Sequence, residues 1–196
     1  MMTFEEIKSF LKTKKVGIAG CGGLGSNCAV ALARVGVGSL VIADFDNIEE
    51  SNLNRQYFFY DQIGKPKSST LKENIGRINP NVKVKAHIKK LDSQDIIDLF
   101  ADCDIIVEAF DRADMKTMII KTVLSNMPDK FIISGNGMAG WGNSEEIKAH
   151  YFEKLIVCGD MSTSVSDENP PLAPRVGMVS NMMANEILNI FLKELK

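Results

Sequence analysis

Asn52, Asn54, Arg55 and Gln56 stand almost side by side in DFDNIEESNLNRQYF, residues 44–58, just beyond the hydrophobic run SLVIA. An arginine presents a fixed fork of N–H donors that matches phosphate, and asparagine or glutamine adds neutral donors beside it. Two residues elsewhere extend the set. Lys67, in GKPK at 64–67, places a point charge at a helix start, and Asp111, after CDIIVEA, supplies a carboxylate able to hold Mg²⁺. Such a group of donors with a metal suits attack on the α-phosphate of ATP, where charge builds on the phosphoryl oxygens and on the departing pyrophosphate. Donors aimed at developing charge contribute on the order of 2.7–4 kcal/mol each to transition-state stabilisation. Hydride transfer needs no cation cluster beyond the pyrophosphate.

Each residue also has a plainer use. Arg55 can pair with Glu49 or Glu50 on the surface, Lys67 can be a solvated helix residue, and Asp111 can cap a helix beginning at Arg112. Asn52 and Asn54 can stabilise turns. Their joint placement at the carboxyl ends of three strands favours the phosphate reading.

Gly20-Cys21-Gly22-Gly23-Leu24-Gly25 follows a strand and opens a helix, the context in which GxGxxG marks a nucleotide site. Glycine permits a tight turn and close approach of backbone N–H groups to phosphate, and a helix N-terminus adds partial positive charge. Asp44 lies 19 residues after Gly25, at the end of the second strand, where an acid can accept from ribose hydroxyls. Gly20, Gly22, Gly23 and Gly25 together with Asp44 specify an adenine nucleotide without saying which. The plainer use of the glycines is close packing of helix on strand.

The elements that must position these residues alternate. Strands are expected at 14–20, 39–43, 82–88, 103–109 and 130–135, and helices at 24–35, 67–79, 93–100 and 112–126. Two further strands, EIKAHYF and KLIVC, follow a glycine-rich stretch at 134–143. A helix from about Val176 to Leu195 carries a stripe of Met, Ile and Leu suited to the core or a dimer interface. This order predicts an α/β fold: a Rossmann-like, doubly wound, mostly parallel sheet with helices on both faces, and a C-terminal strand pair plus helix.

The 196 residues suit a single nucleotide-binding domain over 1–196, and 45% hydrophobic with 24% charged residues allows a sizeable core. A net charge of −2 without long charge blocks offers nothing for general nucleic-acid or membrane-surface binding. KTKK at 12–15 reads as a solvated helix end. The N-terminal residues show no secretory pattern, and no apolar run approaches a membrane span. Cys21, Cys28, Cys103 and Cys158 form no CxxC pair, so no structural zinc site is expected, and unpaired thiols without an export signal point to the cytosol.

GCGGLGS, LVIADFDNIEESNLNRQ, GKPKS, RINPNV and PLAPRVGMVSNMMANEIL together resemble the ubiquitin-activating-enzyme-like family of ThiF, MoeB and HesA, from about Lys14 to Leu188. The compact length most resembles the short ThiF members of thiamine biosynthesis. The resemblance implies adenylation of the C-terminal glycine of a ThiS-like, ubiquitin-fold sulfur carrier ending in Gly-Gly, with ATP and Mg²⁺, by a homodimer. It further implies that Gly22 and Gly23 line the phosphates and Asp44 holds the ribose. Asn52, Arg55, Gln56 and Lys67 would contact the triphosphate, and Asp111 would coordinate Mg²⁺. The chain departs from the family's pattern at several places. It lacks the two CxxC pairs, and its crossover stretch SVSDENPPLAP lacks the sulfur-transfer cysteine, which implies adenylation without a persistent cysteine-linked carrier. No arginine stands in residues 1–15, and Lys116 occupies a place where relatives usually have arginine. A dinucleotide-dependent oxidoreductase and a non-catalytic ATP-binding scaffold are the alternatives.

Overall fold

A computed structural model describes residues 3–193 of the chain. Seven strands form one sheet in the order β3-β2-β1-β4-β5-β7-β6. They are β1 (Lys15–Ala19), β2 (Ser39–Ala43), β3 (Lys83–His87), β4 (Ile105–Glu108), β5 (Phe131–Gly135), β6 (Lys148–Phe152) and β7 (Leu155–Gly159). All neighbours pair parallel except β6 and β7, which form an antiparallel hairpin at one edge. The inner strands are β-branched runs buried on both faces, as parallel strands between two helix layers must be.

The helices are α1 (Phe4–Leu11), α2 (Gly23–Val35), α3 (Lys67–Ile78), α4 (Ser93–Phe100), α5 (Ala113–Asn126) and α6 (Ala173–Lys193). On one face Leu24, Cys28, Leu71, Ile75, Met183 and Ile187 of α2, α3 and α6 share a core with Val16, Ile18 and Ile42. On the other, Ile96, Phe100, Ile119 and Val123 of α4 and α5 pack on Ala19, Val41 and Ile106. The expected doubly wound architecture is therefore the observed one. Boundaries shift by one to three residues, the usual fraying of helix and strand ends.

Three local outcomes refine the expectations. The N-terminal segment forms a helix with a reciprocal cap: Thr3 Oγ1 accepts from Glu6 N at 3.3 Å, and Glu6 Oε2 accepts from Thr3 N at 2.7 Å. Helix α6 begins at Ala173, ahead of the expected Val176, because Pro174 is tolerated in a first turn; its expected extension to Leu195 lies outside the described residues. Its apolar stripe is core, since Val176, Val179, Met183, Ile187 and Phe191 are all buried. Among the described residues no helix is long and apolar enough to cross a membrane.

Strand order reverses between β1 and its two neighbours, β2 and β4. In open α/β sheets this switch leaves a crevice at the carboxyl ends of the strands, where ligands bind.

Candidate functional site

A cavity of ≈ 500 Å³ opens at that crevice, a volume in the range of small-molecule sites. Its floor is the loop between β1 and α2. Gly20 adopts φ +97°, and a Cβ there would stand 2.6 Å from Ala109 O. A Cβ on Gly25 would come within 1.9 Å of Gly20 O, so Gly25 is the position that lets α2 rest on the loop. Gly20, Gly22 and Gly23 line the cavity, whereas Gly25 does not. The plainer reading thus applies to Gly25. Helix α2 has no side-chain N-cap bond among the described residues, and its first residues Gly23 and Leu24 line the cavity, an arrangement suited to an anion.

Asp44 follows β2 and is held from two sides. Its Oδ2 accepts from Cys21 N at 2.6 Å and its Oδ1 from Asp46 N at 2.8 Å. Both oxygens keep further lone pairs for a hydroxyl. Burial raises its pKa above the ordinary carboxylate value, against the opposing pull of these N–H groups and of Lys67.

Lys67 reaches the site through a tertiary return of the chain. Asn47 bridges to Pro66, and Lys67 N donates to Asp46 O at 2.9 Å. Its ammonium then pairs with Asp46 Oδ2 at 3.0 Å while its side chain is nearly buried. Lys67 is therefore a wall residue, and not a solvated one. Asp46, which also lines the cavity, is the partner that sequence reasoning missed; the D-x-D pattern at 44–46 was its only signal.

Arg55 and Gln56 line the same cavity. Arg55 pairs with neither Glu49 nor Glu50 among the described residues. Its Nη1 donates to Ser51 O at 3.0 Å and to Asn54 Oδ1 at 2.7 Å, which ties back one edge of the guanidinium. Partial burial lowers its pKa, and the charge of Asp111 across the cavity opposes that shift. Gln56 carries a buried Oε1 with no partner, beside Gly22.

Asn52 is not in the wall. Its Oδ1 accepts from Glu49 N at 3.1 Å and closes a short 3₁₀ turn, the plainer of its two uses. Asn54 serves as a strut: its Nδ2 donates to Pro171 O at 3.2 Å, and its own carbonyl accepts from Ala173 N at 3.1 Å. Asp111 is exposed on the wall and does not cap α5, whose N-cap is Arg112 without a side-chain bond. Among the described residues no group of three or more His, Cys, Asp or Glu could hold a metal. Asp111 is an exposed carboxylate on this wall that would hold Mg²⁺ beside a bound phosphate.

Further wall residues were not anticipated: Lys89 and Lys90 beyond β3, Arg112, and Val165 and Pro171 from the crossover segment 160–172. That segment is clipped in place by a buried ion pair between Asp160 and Arg175, and Arg175 also donates to Gly142 O. Burial acts to raise the Asp160 pKa, but hydrogen bonds from Thr163 and Ser162 and the charge of Arg175 hold it down at about 2. Lys116 is not among the lining residues and pairs with Glu108 at 2.9 Å. All four cysteines are buried. Cys158, near the end of β7, has its pKa pushed up to about 12 by burial and by Glu186, so it is a protonated thiol at neutral pH.

A family model described as the ThiF family matches residues 3–196. An adenylyltransferase and sulfurtransferase MOCS3 of Caenorhabditis briggsae is 31% identical over 194 residues, covering 93% of this chain and 47% of the relative. A probable adenylyltransferase/sulfurtransferase MoeZ of Mycobacterium tuberculosis is 37% identical over 103 residues, 52% of this chain and 26% of the relative. The chain thus spans less than half the length of these curated relatives. Among solved structures, the E. coli tRNA N6-threonylcarbamoyladenosine dehydratase TcdA with AMP superposes with a TM-score of 0.87 at 18% identity, covering 97% of this chain and 91% of that one. E. coli MccB with ATP gives 0.72 at 25% identity, covering 95% and 58%. The first likeness is one of fold alone.

Proposed function

The chain belongs to the ThiF family, and we propose that it adenylates the C-terminal carboxylate of a small ubiquitin-fold sulfur carrier. The observation that carries this reading is the convergence of Gly20, Gly22, Gly23, Asp44, Arg55, Gln56, Lys67 and Asp111 on one cavity, from the ends of three adjacent strands. ATP enters as co-substrate and supplies the adenylyl group: a carrier oxygen bonds to the α-phosphorus, the bond to the β-phosphate oxygen breaks, and pyrophosphate leaves. The residues of the chain bind and orient. The uncapped start of α2, Arg55 and Lys67 neutralise the phosphates, Asp44 accepts from the ribose, and Asp111 would hold Mg²⁺, which would offset charge on the phosphates. No side-chain nucleophile is required, in keeping with a crossover segment without cysteine.

The finer part of the proposal is that the carrier is ThiS-like and ends in Gly-Gly, and that the reaction serves thiazole formation in thiamine biosynthesis. Support for this finer part comes from the sequence resemblance; the relatives named as adenylyltransferases support the adenylation step. We place the protein in a reducing cytosol on the strength of its four unpaired thiols, and assign it a homodimer on the family resemblance. The test is adenylyl transfer to a panel of carriers: transfer to a Gly-Gly carrier but not to one lacking the final glycine supports the reading, and transfer to none overturns it.

One observation favours a second reading, a nucleotide-binding scaffold that docks a carrier without turnover: residues 3–15 offer lysines and no arginine to complete a neighbouring site. It predicts a stable complex of ATP, carrier and protein in which no pyrophosphate is released.

A further inference from the structure

Glu108 ends β4 with its side chain fully buried, one residue before the chain enters the cavity wall. Its Oε1 accepts from Phe110 N at 2.7 Å. Its Oε2 accepts from Lys116 Nζ at 2.9 Å and from Ser134 Oγ at 2.5 Å. Lys116 also donates to Gly135 O at 2.9 Å. A buried ion pair is a poor source of stability, because desolvation offsets most of the attraction and apolar residues of similar volume often serve as well.

The direction of the bonds indicates another use. Donors from α5 and β5 fix one carboxylate oxygen, and the other then holds the backbone N–H of Phe110, one residue before Asp111. Ala109, Phe110, Asp111 and Arg112 all line the cavity, and this bond, together with that from Ala109 N to Ala19 O at 2.9 Å, anchors their stretch of the wall. Lysine suits position 116 because its ammonium has enough donors to reach both Glu108 and Gly135 O.

We propose that Glu108 is a positioning residue that sets the Asp111 carboxylate for the metal-bound nucleotide, with Lys116 and Ser134 locking Glu108 itself. The inference rests on the role given to Asp111 under the proposed function. Glu108 touches neither nucleotide nor metal; it acts through the 109–112 backbone.

The test is a double-mutant cycle read by calorimetric titration with the α,β-methylene analogue of ATP, with and without Mg²⁺. Glu108→Gln weakens the Mg²⁺-dependent affinity by about 10–100-fold, as loss of a group that orients a metal ligand does. Its Mg²⁺-free affinity stays within about threefold of the unmodified protein. Glu108→Gln added to Asp111→Asn costs nothing beyond Asp111→Asn alone. Ser134→Ala, which removes one donor and keeps the charges, changes affinity in the same direction by less, and serves if Glu108→Gln does not fold. A lowered melting temperature with unchanged Mg²⁺ dependence, or losses that multiply in the double variant, overturns the inference. If the unmodified protein binds the analogue with no gain from Mg²⁺, the role of Asp111 falls, and the inference with it.

Discussion

Arg55 and Asp111 face each other across the cavity, and each has been left with little to do structurally. Arg55 spends one nitrogen on Ser51 O and Asn54, and Asp111 caps nothing. Arg55→Ala and Asp111→Asn are therefore expected to fold normally and to lose pyrophosphate exchange by about 10²–10³-fold each, the cost of a lost donor aimed at developing charge. Circular dichroism together with exchange of labelled pyrophosphate checks both halves; full activity in both variants would remove these residues from the reaction. The cysteines are expected to be inert. With Cys158 pushed up to about 12 and Cys103 likewise to about 12 by burial, alkylation of the native protein at neutral pH should label none of the four, and adenylation should survive Cys158→Ala. A carrier trapped on Cys158 would contradict this. Donor type and spacing made the joint placement of Arg55, Gln56 and Lys67 on one cavity legible in the sequence. It left Asn52 ambiguous, because an amide satisfies its own turn as readily as a ligand. Asp46, beyond its D-x-D pattern, and Glu108 were not legible as partners, since their lysines arrive through tertiary contacts.

Two elements carry the site, the glycine turn and the crossover segment, and each rests on one tight contact. At Gly25 there is no space for a methyl group, because a Cβ there would stand only 1.9 Å from Gly20 O. Gly25→Ala should cost about 1–3 kcal/mol, as overpacking does, seen as a lower denaturant midpoint. An unchanged midpoint would show that α2 can shift. The crossover segment depends on Asp160. Its folded pKa of about 2 lies below the ordinary 3.8, so the unfolded chain takes up the proton first as pH falls. The contribution is thus complete above about pH 5 and is lost between about pH 4 and 2. Stability curves of the unmodified protein and Asp160→Asn should converge over that window; a constant gap between them would contradict the clip. Strand and helix positions were legible because apolar runs and helical spacing persist over whole elements. The crossover was not, because its order comes from the Asp160–Arg175 ion pair and from Asn54 and Gly140 of distant loops, which donate to its Pro171 and Pro170 carbonyls.

For the whole molecule, the order of elements was enough to foresee a doubly wound sheet, since a β-branched run buried on both faces needs helices on each side and right-handed crossovers then fix the topology. The candidate cavity lies at the carboxyl ends of the strands, as the sequence placed its residues, and beside the switch at β1. What the fold does not encode is which substrate enters. TcdA superposes on this chain at 18% identity, a likeness of fold alone. Substrate class therefore has to be read at the cavity mouth, by chemistry. The most direct measurement is the intact mass of a ThiS-like carrier ending in Gly-Gly after incubation with this protein, ATP and Mg²⁺. A carrier heavier by one adenylyl group, with pyrophosphate released, is the predicted result; an unmodified carrier in the presence of protein-bound ATP would contradict it.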